Sequence, residues 1–147
     1  MAERLDFSIR NPIPSKGSFL QLYSVVTANF GSDRALMGSV NHGGTVIVTT
    51  ESLVREKDYL FRAHVENNNP DVPFLLEVRD ERKTELFRAS GREKNGKLNF
   101  VMRLPESEKG PLKLSLAYDE ESKEFAELPK KGALGDYTFI SLTIEAL

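Results

Sequence analysis

The feature that most constrains this chain is a period of two. Leu5, Phe7 and Ile9 alternate with Arg4, Asp6, Ser8 and Arg10. Tyr59, Phe61, Ala63 and Val65 alternate with Asp58, Arg62, His64 and Glu66, and only Leu60 breaks the pattern. The same rhythm returns in Phe74–Val78, Leu98–Leu104 and Leu112–Tyr118. Successive strand side chains point to opposite faces, so each segment makes a strand with one apolar and one polar side. No long amphipathic helix interrupts the series. Asp119–Leu128, with Phe125 and Leu128 three residues apart, leaves room for one short helix.

Turn chemistry punctuates the strands. Asn11–Gly17, with two prolines and a glycine, cannot continue a central ladder. Phe19–Phe30 is a long β-prone run closed by Gly31-Ser32-Asp33. Asn41-His42-Gly43-Gly44 reads as the turn of a hairpin between Ala35–Val40 and Thr45–Thr50. Asn95-Gly96 suits a type I′ turn. Further breaks fall at Asn67–Asp71, Pro105–Pro111 and Pro129–Gly135. In the final segment, Asp136–Glu145, adjacent Phe139 and Ile140 call for a bulge that turns both inward. The fold class that follows is all-β. The pattern is that of a sandwich or barrel, and the expectation is residues 1–147 as a single domain, an antiparallel two-sheet β-sandwich with at most one short helix. Phe7, Tyr59, Phe61, Val65, Leu76, Val78, Leu98, Phe100, Leu114 and Leu116 are its expected core.

Charge and composition narrow the function. Twenty Lys and Arg against 22 Asp and Glu give a formal charge of −2, which offers no warrant for nucleic acid or an acidic membrane as partner. There is no cysteine, so neither a disulfide nor a thiolate zinc site can form. No run approaches the ~20 apolar residues of a membrane helix. The first ten residues read as a strand rather than a leader, which leans towards the cytoplasm. Phosphate loops, HExxH, GxSxG, EF-hand spacing and glycosylation sequons are all missing. With only His42 and His64 as histidines, no nucleophile–base set is readable, so an enzyme is not expected and no cofactor is implied.

One constellation has chemistry. The outward positions of three strands supply Arg62, His64, Glu77, Arg79, Asn99 and Arg103. Placed side by side in one sheet, they would form a ligand-binding face, with Glu77 orienting Arg62 and leaving Arg79 and His64 for a ligand oxygen. Two readings compete with this one. The set can be a solvated outer face, and in a jelly roll consecutive strands often lie in different sheets, which would split it. The loops around Tyr23, His42 and Asn67–Asn69 are the next place for a site. Asp119-Glu120-Glu121 could offer oxygen ligands to a hard cation, with no spacing that fixes one.

From Ser52 to Glu145 the layout resembles the jelly-roll carbohydrate-binding modules of the galactose-binding-like class. The likeness runs through Ser52, Leu53, Lys57 and Tyr59 into the alternating Phe61, Ala63 and Val65. It continues through Phe100, Pro105, Leu112, Leu114 and Leu116 to the closing Asp136-Tyr137-Thr138-Phe139-Ile140-Ser141-Leu142. It implies a non-catalytic binding module with a carbohydrate or small polar ligand as partner. It also implies a structural calcium, for which no ligands are placed. Such modules usually stack sugar rings on exposed tryptophan or tyrosine, and the chain departs from the class in having no tryptophan; its tyrosines are Tyr23, Tyr59, Tyr118 and Tyr137, of which alternation assigns Tyr59 to the core. The alternative is a structural or assembly protein, such as a viral or phage jelly-roll subunit, whose partner is its own copy.

Overall fold

A computed structural model describes residues 2–8, 24–40, 43–67, 69–106, 110–128 and 137–147. The expected Asn11–Gly17 break, Tyr23, His42, Asn68 and the Pro129–Gly135 loop lie outside the described residues. The strands are β1 (Arg4–Ser8), β2 (Ser24–Thr27), β3 (Arg34–Val40), β4 (Gly43–Val48) and β5 (Asp58–Glu66). They continue as β6 (Phe74–Arg79), β7 (Glu85–Gly91), β8 (Lys97–Arg103), β9 (Leu112–Tyr118) and β10 (Thr138–Ala146). A one-turn helix α1 (Lys123–Ala126) follows β9, and its Phe125 N–H donates to the Ser122 hydroxyl at 3.1 Å.

The strands form two antiparallel sheets. One has four strands in the order β1-β10-β5-β8, the other six in the order β2-β3-β4-β9-β6-β7. The chain is thus a two-sheet, jelly-roll-like sandwich, as expected. It changes sheet between β1 and β2, between β4 and β5, again between β5 and β6, and at every connection from β7 to β10.

All ten residues expected in the core are buried. Each large apolar side chain withdrawn from water contributes about 1.5–3 kcal/mol. Phe100 of β8 stacks on Phe61 of β5, ring centroids 4.8 Å apart, and on Phe87 of β7 at 4.7 Å, which joins the two sheets at one end. At Asn95-Gly96 both residues have positive φ, 54° and 78°, and Lys94 and Lys97 exchange backbone hydrogen bonds of 3.0 and 2.9 Å. The expected type I′ turn is therefore present, at the head of β8. The bulge in β10 is also present, between Phe139 and Ser141. It buries Phe139, Leu142 and Ile144 while Ile140 stays half-buried, so only one of the adjacent pair turns fully inward.

Two polar devices finish the frame. Asp33 is fully buried, and its carboxylate accepts from the Thr49 hydroxyl and from the backbone N–H of Glu51 and Ser52, each at 2.8 Å. Burial pushes this carboxyl up, but the hydrogen bonds from Ser52, Thr49 and Glu51 outweigh it and hold its pKa below the ordinary value. The edge of β1 is covered by Asn29, whose amide oxygen accepts from the Asp6 N–H at 2.8 Å while its NH2 donates to the Arg4 carbonyl at 3.4 Å.

Candidate ligand-binding face

Strand membership divides the six expected site residues. Arg62 and His64 lie on β5 and Asn99 and Arg103 on β8, neighbours in the four-stranded sheet. Glu77 and Arg79 lie on β6, in the other sheet. The two outer faces look away from each other across a core about 10 Å thick, so Glu77 does not orient Arg62. The physical reason is the sheet change between β5 and β6, which the alternation of either strand does not encode.

On the outside of the four-stranded sheet, register builds rows of side chains. Asp6, Thr143, Arg62 and Asn99 form one row, and Ser8, Ser141, His64 and Lys97 the next. A shallow depression of about 360 Å³ sits over these rows, lined by Leu60, Arg62, Ala63, His64, Lys97, Asn99, Ser141 and Thr143. Arg103 shares the face but lies at the far end of β8, opposite Asp58 at 3.9 Å, outside the depression. The partner that orients Arg62 is Glu145 of β10, at 2.9 Å. Glu145 also holds Arg4 at 3.3 Å, and Thr143 donates to Asp6 at 3.0 Å. The rim is thus braced by carboxylates, yet none lines the depression itself.

Lys97, Ser141, Thr143 and Leu60 were not among the expected site residues. Lys97 has the same outward phase as Asn99, so alternation marks its direction. Ser141 and Thr143 depend on the β10 bulge and on the pairing of β10 with β5, which is non-local. Gly96 fixes the corner beside them. Its carbonyl accepts from the Val65 N–H at 2.7 Å, and a Cβ there would meet the Val65 carbonyl at 2.8 Å.

The outer face of β6 is built differently. Arg79 contacts Glu77 at 2.8 Å and Glu85 at 3.6 Å, and Arg88 contacts the same two glutamates at 3.3 and 3.4 Å. Arg79 also donates to the Lys83 carbonyl at 3.0 Å. Two cations and two anions thereby close a ring.

Among the described residues, no Tyr or Phe ring lines the depression on the four-stranded face. Tyr59, Tyr118 and Tyr137 are buried. Tyr59 is pinned to the Val54 backbone, and burial raises its pKa. Tyr137 lies 4.7 Å from Tyr118, and burial, then the neighbouring Tyr118 and Glu93, raise its pKa far more. Among the described residues no group of three or more His, Asp or Glu side chains could hold a metal ion, so the implied calcium finds no such set there. No helix among them is long and apolar enough to cross a membrane.

No family model matches the chain, and no curated protein matches it. Solved structures similar in fold include the C-terminal family 6 carbohydrate-binding module of a marine laminarinase from Zobellia galactanivorans. That pair shares 12% identity over 97% of this chain and 98% of that one, with a TM-score of 0.48. A module from Cellvibrio mixtus lichenase 5A, in complex with cellotriose, shares 11% identity over 97% of this chain and 96% of its own, with a TM-score of 0.45. A xylan-binding domain from Paenibacillus barcinonensis shares 12% over 97% of this chain and 92% of its own, with a TM-score of 0.44. These are likenesses of layout.

Proposed function

We propose that this chain is a non-catalytic binding module that holds a carbohydrate on the outer face of its four-stranded sheet. The observation behind this reading is the depression over β5, β8 and β10. Sugars present many hydroxyls, each a donor and an acceptor, along with apolar C–H edges. The depression offers donors from Arg62 and Lys97, mixed donor–acceptors from Asn99, Ser141 and Thr143, and an apolar floor at Leu60. Beside Leu60, Val101 is 46% exposed and extends that apolar surface. A binding role fits better than hydrolysis because the lining has no carboxylate to act as acid or base. The fold likeness to carbohydrate-binding modules takes no part in this reading.

The test is a glycan array followed by calorimetry on each hit. Arg62→Ala with Asn99→Ala should abolish binding with the melting transition preserved, and Arg79→Ala should leave binding intact. Loss of binding in Arg79→Ala alone would move the site to the opposite sheet.

A second reading, self-association as an assembly subunit, has one observation in its favour. Val25, Leu36 and Ile47 form an apolar cross-strand row on the outside of β2, β3 and β4, and Val25 is 64% exposed. Sedimentation over a concentration series tests it, a dimer broken by Val25→Lys being the outcome it requires.

A further inference from the structure

We infer that the glycan held here is an acidic one, bearing carboxylate or sulfate groups; this rests on the binding role proposed above. A second depression of about 400 Å³ adjoins the first, with Lys97 and Asn99 lining both. Arg92, Lys94 and Asn95 line its other side. The two neighbouring hollows, the second lined also by the buried Phe74 and Leu98, between them count Arg62, Arg92, Lys94 and Lys97 in their linings, and no carboxylate lines either, in a chain whose acids outnumber its bases.

These four cations differ in how they are held. Arg62 is paired with Glu145, and Arg92 with Glu124 and the Asp71 carbonyl. Among the described residues, Lys94 and Lys97 have no carboxylate partner. They are also forced together. The two-residue turn at Asn95-Gly96 makes them directly opposed, so their side chains leave the same side of the ladder. The turn is itself locked. Gly96 donates to Glu93 at 2.6 Å and accepts from Val65 at 2.7 Å, so the lysines cannot separate by slipping register.

Like charges directly opposite each other oppose folding. An anionic group between the two ammonium ions relieves that repulsion and releases their counterions. The missing aromatics point the same way. A neutral glycan is commonly gripped by stacking on a Trp, Tyr or Phe ring, and among the described residues the only such ring lining these hollows, Phe74, is buried. Charge and hydrogen bonds must then do the recognising. In this arrangement an anionic sugar sits between Lys94 and Lys97, and its neighbour extends over Asn99 and His64 towards Arg62.

The experiment is calorimetric titration of the whole chain with four probes: tetragalacturonate, its neutral methyl ester, dextran sulfate and unmodified dextran. Each is measured at low and raised ionic strength. The proposal expects one or both acidic probes to bind and their neutral counterparts to bind at least about tenfold more weakly. It also expects affinity to fall with salt. The two acidic arms separate carboxylate from sulfate. Lys94→Gln with Lys97→Gln, both exposed positions, should lower acidic-probe affinity about tenfold or more and flatten its salt dependence, with the melting transition held or slightly raised as the lysine–lysine repulsion is removed. Equal binding of acidic and neutral probes would overturn the acidic preference and leave the glycan-binding reading standing. No binding of these probes or of any array glycan would overturn both. A single-stranded oligonucleotide bound more tightly than either acidic glycan, through the same lysines, would overturn the proposal in favour of a nucleic-acid site.

Discussion

The two outer faces of this sandwich start from the same kind of sequence. On β5 and β8 the outward positions read Arg62, His64, Lys97, Asn99; on β6 and β7 they read Glu77, Arg79, Glu85, Arg88. Both are alternating strands with a polar side, yet the products differ. On the six-stranded sheet, opposite charges meet across β6 and β7, and each arginine is taken up by two glutamates. On the four-stranded sheet, Glu145 and Asp6 of β10 and β1 and the end residues Asp58 and Glu66 of β5 lie outside the hollow, and its lining is left with donors, hydroxyls and no carboxylate. Outward direction makes a side chain available to solvent. The partner across the ladder decides whether it remains available to a ligand.

The largest expected effect removes the ground common to both faces. Phe100 stacks on Phe61 within its own sheet and on Phe87 of the other. Phe100→Ala should cost about 3–5 kcal/mol, a large part of a typical domain's stability. Chemical denaturation measures it. A loss under about 1 kcal/mol would mean that the two faces do not share one core.

Asp33 comes next, holding the start of the connection that leaves the six-stranded sheet after β4. Asp33→Ala leaves two backbone N–H groups without their acceptor, and each orphaned donor costs about 1–3 kcal/mol. The carboxylate's pKa is depressed in the folded state, so its contribution is complete above the ordinary aspartate value of about 3.9. It is lost as pH falls through the lower folded value. Urea midpoints taken downward from pH 6 should therefore fall more steeply for the parent than for Asp33→Asn. Parallel curves would refute the role given to Asp33.

Smaller effects separate the faces from each other. Glu77→Gln removes an ion partner from Arg79 and Arg88 at once and should cost about 0.5–1 kcal/mol at low salt, fading as salt rises. Lys97→Ala, exposed and unpaired among the described residues, should change stability by less than about 0.5 kcal/mol. A Lys97 effect equal to that of Glu77 would show that the two faces are built alike.

Much of this molecule is legible before any coordinates. The alternation of Tyr59–Val65 and Leu98–Leu104 names the buried side correctly, because a strand's period is local. Asn95-Gly96 names its turn, because positive φ at two successive residues suits few other pairs. Phe139-Ile140 marks a bulge, because two adjacent apolar residues cannot share a face without one. What stays hidden is non-local. Glu77 and Arg79 read like Arg62 and His64, and only the change of sheet between β5 and β6 separates them. Ser141 and Thr143 join the hollow through a pairing of strands some eighty residues apart in sequence, from β5 to β10. The lysine pair is an intermediate case. Its turn is readable, but the lack of an ion-pair partner for either lysine among the described residues depends on non-local strand placement.

The central claim is that the outer face of the four-stranded sheet binds the ligand and that of the six-stranded sheet does not. Amide chemical-shift mapping during titration with tetragalacturonate, or with whichever array glycan binds, tests it most directly. The account predicts shifts concentrated at Arg62, His64, Lys97, Asn99, Ser141 and Thr143, with Glu77, Arg79, Glu85 and Arg88 unmoved. Shifts centred on the Glu77–Arg88 ring, with β5 and β8 silent, would contradict it.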